Sequence, residues 1–465
     1  MKRSSLLLLF IFCSKAFLGA QDADTSQVPQ NVLPIDTFVK LVVEHHPVAV
    51  QARLLRETAR AENLKASGAF DPKLFSDISQ KQFDDKDYFT LQNSGVEIPG
   101  WFGLKGKAGY ELNEGLFLNN QNTVPGSGLW YADVSLTLLQ GLFMDERRAA
   151  VKQANLLRES AEFEVQLALN DLLQEALVSY WDWYSSYAEL LIFEEAVELA
   201  DFRFRAVKRA ALVGDEPMID TLEAAIQLQD RQLKLQKARA DFITKRNMLQ
   251  TFLWLEGQIP LQISAATVPR FEQPQLLQVI DPNWFEDHPW LQVYQLKLDR
   301  LDVERRLNAE LLKPQLDLSY KFINQPTQND FFAEYSPQNY QWAVSASFPL
   351  FVRKGRGELL KTKVKIQETD LELDLKRIEL QNKVQALEQE LILTGEQLLQ
   401  TRQMVNNYSR LLQAEITKFR NGESSLFLVN SREVKYLESR QKEVELESKV
   451  NQVWAKLKAA AAELI

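Results

Sequence analysis

Cysteine is almost absent: Cys13 is the only one in 465 residues. It lies at the end of "LLLLFIFC", with Lys2 and Arg3 before that stretch and Leu18, Gly19 and Ala20 after it. A basic start, a short apolar core and small residues before Gln21 are the layout of an export signal over residues 1–20. A lipid-anchor reading of Cys13 is disfavoured because Phe10, Ile11 and Phe12 stand where small residues are needed. The expected mature chain therefore has no thiol, which excludes disulfides, Cys–metal sites and cysteine nucleophiles.

Histidine is nearly as scarce, with three residues in the chain. His46-Pro47 and His288-Pro289 read as helix starts with proline in the first turn, and His45 alone adds no metal cluster. No glycine-rich phosphate loop occurs, and "NGESS" (Asn421 to Ser425) lacks the setting of a serine nucleophile. Neither catalytic residues nor a cofactor is expected. Positive charge is also short, with 54 Lys and Arg against 63 Asp and Glu. Removing Lys2, Arg3 and Lys15 with the signal takes the formal charge from −9 to −12, the wrong sign for a nucleic-acid partner. Beyond the signal no apolar run reaches about 18 residues, so no transmembrane helix is expected.

What is present is a repeat. "HPVAVQARLLRETARAENLKASGAFDP" (His46 to Pro72) and "HPWLQVYQLKLDRLDVERRLNAELLKP" (His288 to Pro314) align without a gap, and the same order of patterns follows each. First come alternating, aromatic-rich stretches, "KLFSDISQKQF" and "LWYADVSLTLL" in one copy, "QLDLSYKF" and "YQWAVSASFPLF" in the other. Alternation of this kind predicts strands with one apolar face, within 73–139 and 315–351. Each set leads into a very long amphipathic helix, 145–213 with Asp145 at its start and 356–421 with Gly395 inside. Each helix stops at a glycine, Gly214 or Gly422, and a return helix follows, 215–256 or 423–463, with Asp215 or Glu423 at its start.

The first repeat thus covers 21–256 and the second 283–465, with the linker 257–282 carrying Pro260, Pro269, Pro274 and Pro282. The copies differ in one interval: Pro72 to Val134 is 62 positions (134 − 72), Pro314 to Val344 is 30 (344 − 314). The surplus contains "LQNSGVEIPGWFGLKGKAGYELNEG", expected to form either an additional hairpin or a large loop. Four strands cannot close a barrel, since about eight are needed and an open edge in lipid leaves backbone groups unsatisfied. Several chains must share one barrel.

"GAFDPKL", "LQGLFMDERRAAVKQA" and "LVGDEPMIDTLEA", set in this twice-repeated plan behind an export signal, resemble the TolC family of outer-membrane efflux proteins. The resemblance implies a mostly α fold with membrane β: a long-helix coiled-coil α-barrel plus a trimeric outer-membrane β-barrel of twelve strands, built from two internal repeats. It implies an exit duct for a tripartite efflux or type I secretion system, with outer-membrane lipid, a periplasmic adaptor and an inner-membrane pump as partners. By position it makes Val213, Gly214, Asp215 and Glu216, with Asn421, Gly422, Glu423 and Ser424, the adaptor-docking tips, and puts Asp220 at the periplasmic mouth. Leu428 and Ser431 supply no second acidic position there. The plainer readings are a generic helical-hairpin turn for the glycines and a first-turn acid on the helix dipole for Asp220. The alternative for the whole chain is a secreted, non-channel periplasmic coiled-coil scaffold, which leaves the matched strands unexplained.

Overall fold

The computed structural model describes residues 32–270, 280–326 and 336–465. The expected export signal, and the part of the linker from 271 to 279, lie outside the described residues.

A short strand β1 (Val32–Leu33) leads to helices α1 (Ile35–His45) and α2 (Pro47–Ser67). Four strands follow, β2 (Lys73–Phe83), β3 (Lys86–Pro99), β4 (Leu104–Glu114) and β5 (Leu129–Leu139), then helices α3 (Glu146–Val213) and α4 (Met218–Gln250). Three two-residue strands, β6 (Trp254–Leu255), β7 (Ile259–Pro260) and β8 (Val268–Pro269), fill the linker region. The second copy consists of α5 (Pro289–Glu310), β9 (Gln315–Asn324), β10 (Tyr340–Ser347), α6 (Arg353–Arg420) and α7 (Leu426–Ala460).

Local chemistry sets several of these limits. The histidines before α2 and α5 play one part: His46 Nδ1 accepts from Val48 N–H and His288 Nδ1 from Trp290 N–H, each at 3.2 Å. Proline at the first helical position needs no partner, so each ring serves the next free donor. His288 Nε2 also lies 3.1 Å from the Ala460 carbonyl. Nδ1 accepts, so Nε2 carries the proton and donates, and burial holds the His288 pKa below its usual 6.5. Asp145 caps α3, its Oδ1 accepting from Arg148 N–H at 2.8 Å. The two longest helices, α3 and α6, have 68 residues each and run on the order of 100 Å.

The helices pack as a single-layer slab. Far from the sheet the order across it is α4, α3, α7, α6; nearer the sheet it is α2, α3, α5, α6. The best-buried part lies midway, where Phe38, Tyr180, Trp181, Trp183, Tyr184 and Phe242 join α1, α3 and α4. There the Tyr180 hydroxyl donates to the Leu33 carbonyl at 2.9 Å, fixing β1 against α3.

All six long strands form one antiparallel sheet in the order β10-β9-β5-β4-β3-β2. Alternation alone suggested four strands; the surplus segment adds β3 and β4, a hairpin inserted between β2 and β5. Both ends of the sheet, β2 and β10, are open edges within the chain.

Candidate transport path and docking tips

Strand pairing sorts the sheet's side chains into two faces. One face carries Leu74, Val96, Ala108, Ala132, Phe322 and Tyr340 in one row across the six strands. Val134, Tyr320 and Trp342 make up part of the next row, and Leu136, Leu318 and Val344 part of another. Aromatic residues, among them Tyr110, Trp130, Tyr320, Phe322 and Tyr340, gather toward the end of the sheet away from the helices. An outward apolar band bordered by aromatic side chains suits a bilayer and its interface.

The opposite face is polar. One row reads Lys73, Glu97, Lys107, Asp133, Lys321, Gln341, so opposite charges alternate across five consecutive strands. Directly opposed unlike charges favour this register and like charges would oppose it. From this row Lys321 Nζ reaches along the face to bond Glu111 at 3.0 Å and lies 4.1 Å from the Tyr131 ring centre, while Lys107 Nζ lies 4.1 Å from that of Phe75. Positive and negative groups are interspersed along this face, which makes it a wettable wall without a strong preference for one sign. Single-residue alternation signals such a face in the sequence, but the row itself exists only once five pairings are known.

At the other end of the molecule the two hairpin turns are the same motif. Asp215 N–H bonds the Ala210 carbonyl and Gly214 N–H that of Ala211; Glu423 N–H bonds the Lys418 carbonyl and Gly422 N–H that of Phe419. This is the Schellman pattern, with Gly214 at φ 86° and Gly422 at φ 76° in the left-handed region. No atom lies within 4 Å of where a Cβ would be at either glycine, so only backbone strain opposes a side chain there. Val213, Asp215 and Glu423 are exposed beside them, and Asn421 is the residue on which α6 ends. Ser424 donates to the Glu415 carboxylate.

Two details correct the sequence reading of these turns. The return helices do not start on Asp215 and Glu423. Pro217 precedes α4 without a side-chain cap, and Ser425 caps α7, its hydroxyl accepting from Leu428 N–H at 3.4 Å. The reason is geometric: Asp215 and Glu423 stand two residues before the cap positions Pro217 and Ser425, too early for their carboxylates to accept from the first free N–H groups of the next helix. Asp220 falls in the first turn of α4, and its carboxyl meets that of Glu216. Partial burial, then the Asp220 charge and hydrogen bond, then Asp215, push the Glu216 pKa up.

One cluster near the tips was not read from the sequence. Arg231 of α4 is 2% exposed, and its Nε lies 3.8 Å from Glu433 of α7, which also pairs with Arg203 of α3. Arg203 donates to Asn430 at 3.1 Å, and Asn430 donates to Glu223 at 2.9 Å. The available signal was spacing: Arg231 stands midway between the buried Ala224 and Ala238 at seven-residue steps, an inward position in a coiled-coil repeat.

Among the described residues no group of His, Cys, Asp and Glu is placed to hold a metal ion, and no helix is long and apolar enough to cross a membrane. Residues 284–463 match the family profile described as "Outer membrane efflux protein". No curated protein matches the chain in sequence. Solved structures share the fold. The CmeC outer membrane channel of Campylobacter jejuni is 12% identical with a TM-score of 0.66, covering 92% of this chain and 85% of its own. The outer membrane protein VceC of Vibrio cholerae is 14% identical with a TM-score of 0.66 over 92% and 95%. The open state of the MtrE outer membrane channel of Neisseria gonorrhoeae is 13% identical with a TM-score of 0.68 over 91% and 88%. Over residues 284–463 the chain matches the outer membrane efflux protein profile, and with its paired long hairpins and two-faced sheet it shares the fold of these outer membrane channels.

Proposed function

We propose that three copies of this chain form one continuous duct, a β-barrel in the outer membrane and a helical tunnel in the periplasm, that receives substrates from an adaptor and an inner-membrane pump. The observation that carries this reading is that the slab has matching unfinished borders. The sheet ends in the open edges β2 and β10. The outer flank of α6 exposes Val364, Leu371, Ile378, Ile392 and Leu399, and that of α4 exposes Ile219, Ile226 and Leu233, mostly at seven-residue steps. Such stripes bury themselves in a left-handed coiled coil, and placing α6 of one copy beside α4 of the next covers both. The scaffold alternative offers no partner for an apolar sheet face. Reconstituted into planar bilayers, the protein should conduct ions; a detergent-independent monomer without conductance would end the proposal.

In this reading the tips, Val213 to Glu216 and Asn421 to Ser424, dock the adaptor. Their exposed acids suit a basic or hydrogen-bonding partner surface, and both turns present them in one geometry. Replacing Asp215 and Glu423 together by lysine should abolish efflux while leaving the amount of outer-membrane trimer unchanged. Unaltered efflux would remove the tips from the docking surface.

Asp220 is proposed to line the periplasmic mouth, where three copies bring three carboxylates around one axis and raise the local cation concentration. Leu428 adds no second acidic ring at the matched turn, so the selectivity is modest. Asp220→Asn should lower the cation-to-anion permeability ratio, read from reversal potentials across a salt gradient, without changing trimer yield. An unchanged ratio would leave Asp220 as an acid on the helix dipole. The same substitution should bring the Glu216 pKa back down, because it removes the nearest like charge.

A further inference from the structure

We infer that the barrel of this channel has eighteen strands, six from each copy, with β2 of one chain paired to β10 of the next. The inference rests on the three-copy duct proposed above and departs from the twelve strands that the family resemblance implies.

The added hairpin is built into the wall. β3 and β4 pair along their length with each other and with β2 and β5. Small residues make room for large neighbours across it: a Cβ on Gly95 would come within 2.9 Å of the Phe75 ring, and one on Gly109 within 2.8 Å of the Tyr131 hydroxyl. That hydroxyl reaches over β4 to Asn93 of β3 at 2.8 Å. The hairpin's inner turn is anchored where strands become helices. Trp101 stacks on Phe70 at 4.6 Å, the Gly103 carbonyl accepts from Thr137 N–H at 2.9 Å, and the buried Arg148 lies over Phe102. Glu97 and Lys107 complete the alternating charge row between Lys73 and Asp133. A flap outside the wall would have none of these contacts.

The borders suit a second copy. An even number of strands per chain makes β2 and β10 run in opposite directions, so their pairing continues the antiparallel order. Their faces agree as well, Leu74 and Ile78 on the apolar side of β2 meeting the side of Trp342 and Val344 on β10.

The stagger is that of a closed barrel. β2 and β9 begin at equivalent points of the two repeats, just after Pro72 and Pro314. Yet Lys73 lies in the row of Lys321, six residues further along β9 than Gln315. If the first residues of these two strands lie at one height, about 20 Å of stagger accrues over four strand steps of about 4.8 Å, a tilt of about 45°. Closed barrels tilt by about 35–45°. At that tilt eighteen strands give a girth of roughly 110–120 Å and twelve only about 75–80 Å. Twelve helices, four across each of three slabs, spaced about 8–10 Å apart, give roughly 95–120 Å. Eighteen strands therefore meet the helical cylinder without narrowing, and the barrel is about 1.5-fold wider than one of twelve strands.

The test is cryo-electron microscopy of the full mature chain in lipid nanodiscs, with native mass read on the same sample. Three chains and eighteen wall strands are expected. Ser76→Cys on β2, combined in turn with Trp342→Cys, Val344→Cys and Ala346→Cys on β10, should give in at least one pairing a covalent trimer on non-reducing gels. Three chains with twelve wall strands would overturn the inference and leave the duct standing. Two chains sharing twelve strands would overturn both the inference and the three-copy reading, and a soluble monomer would remove the duct itself.

Discussion

Glu433→Ala is expected to destabilise the helical body by about 3 kcal/mol or more, lowering the thermal midpoint of the detergent-solubilised protein and loosening α4 and α7 near the tips. Glu433 is 5% exposed and faces two arginines, Arg203 and Arg231, the second of them 2% exposed. Removing the shared acid leaves buried positive charge without its counterpart, and breaking a buried pair from one side costs about 3–5 kcal/mol. The lower end applies because Asp230, 2.7 Å from Arg231, still offsets part of that charge. The attraction itself is not what makes the loss large, since desolvating the charges has already consumed most of it. Replacing the pair together, Arg231→Met with Glu433→Leu, should therefore recover part of the stability, since the deeper of the two arginines goes with the acid while Arg203 keeps its bond to Asn430. If the single and double variants melt alike, the cluster is not held by this pairing.

Trp183→Ala should cost about 3–5 kcal/mol, the range for deleting a large aromatic side chain from a packed core. Trp183 is fully buried on α3, 6.4 Å from Phe242 of α4 in a stacked pair and 5.8 Å from Tyr180. It holds the first hairpin together at mid-height, where α1 also packs. Its indole N–H meets no acceptor among the described residues, so Trp183→Phe loses area but no hydrogen bond. That variant should retain most of the stability by calorimetry. Equal losses for Ala and Phe would point to the N–H and not to the packing.

Much of the molecule is determined by short-range pattern, and short-range pattern is legible in a sequence. The two 68-residue helices follow from long stretches poor in proline and glycine. Their ends at Gly214 and Gly422 follow from the positive φ that a Schellman turn imposes. The histidine caps follow from His-Pro at two aligned places, and the two-faced strands from single-residue alternation. Tertiary structure alone decided which strands are neighbours. Whether "LQNSGVEIPGWFGLKGKAGYELNEG" forms a loop or two strands inside the wall depends on whether β2 and β5 offer their edges, and no local period encodes that. The Lys73-to-Lys321 charge row and the meeting of Arg203, Arg231 and Glu433 are likewise made by pairings between residues tens to hundreds of positions apart. The capping expectation failed for a related reason: the Schellman turns take up Asp215 and Glu423 as their closing residues, and two further residues pass before the cap positions Pro217 and Ser425, so the acidic side chains stand too early to accept from the next helix.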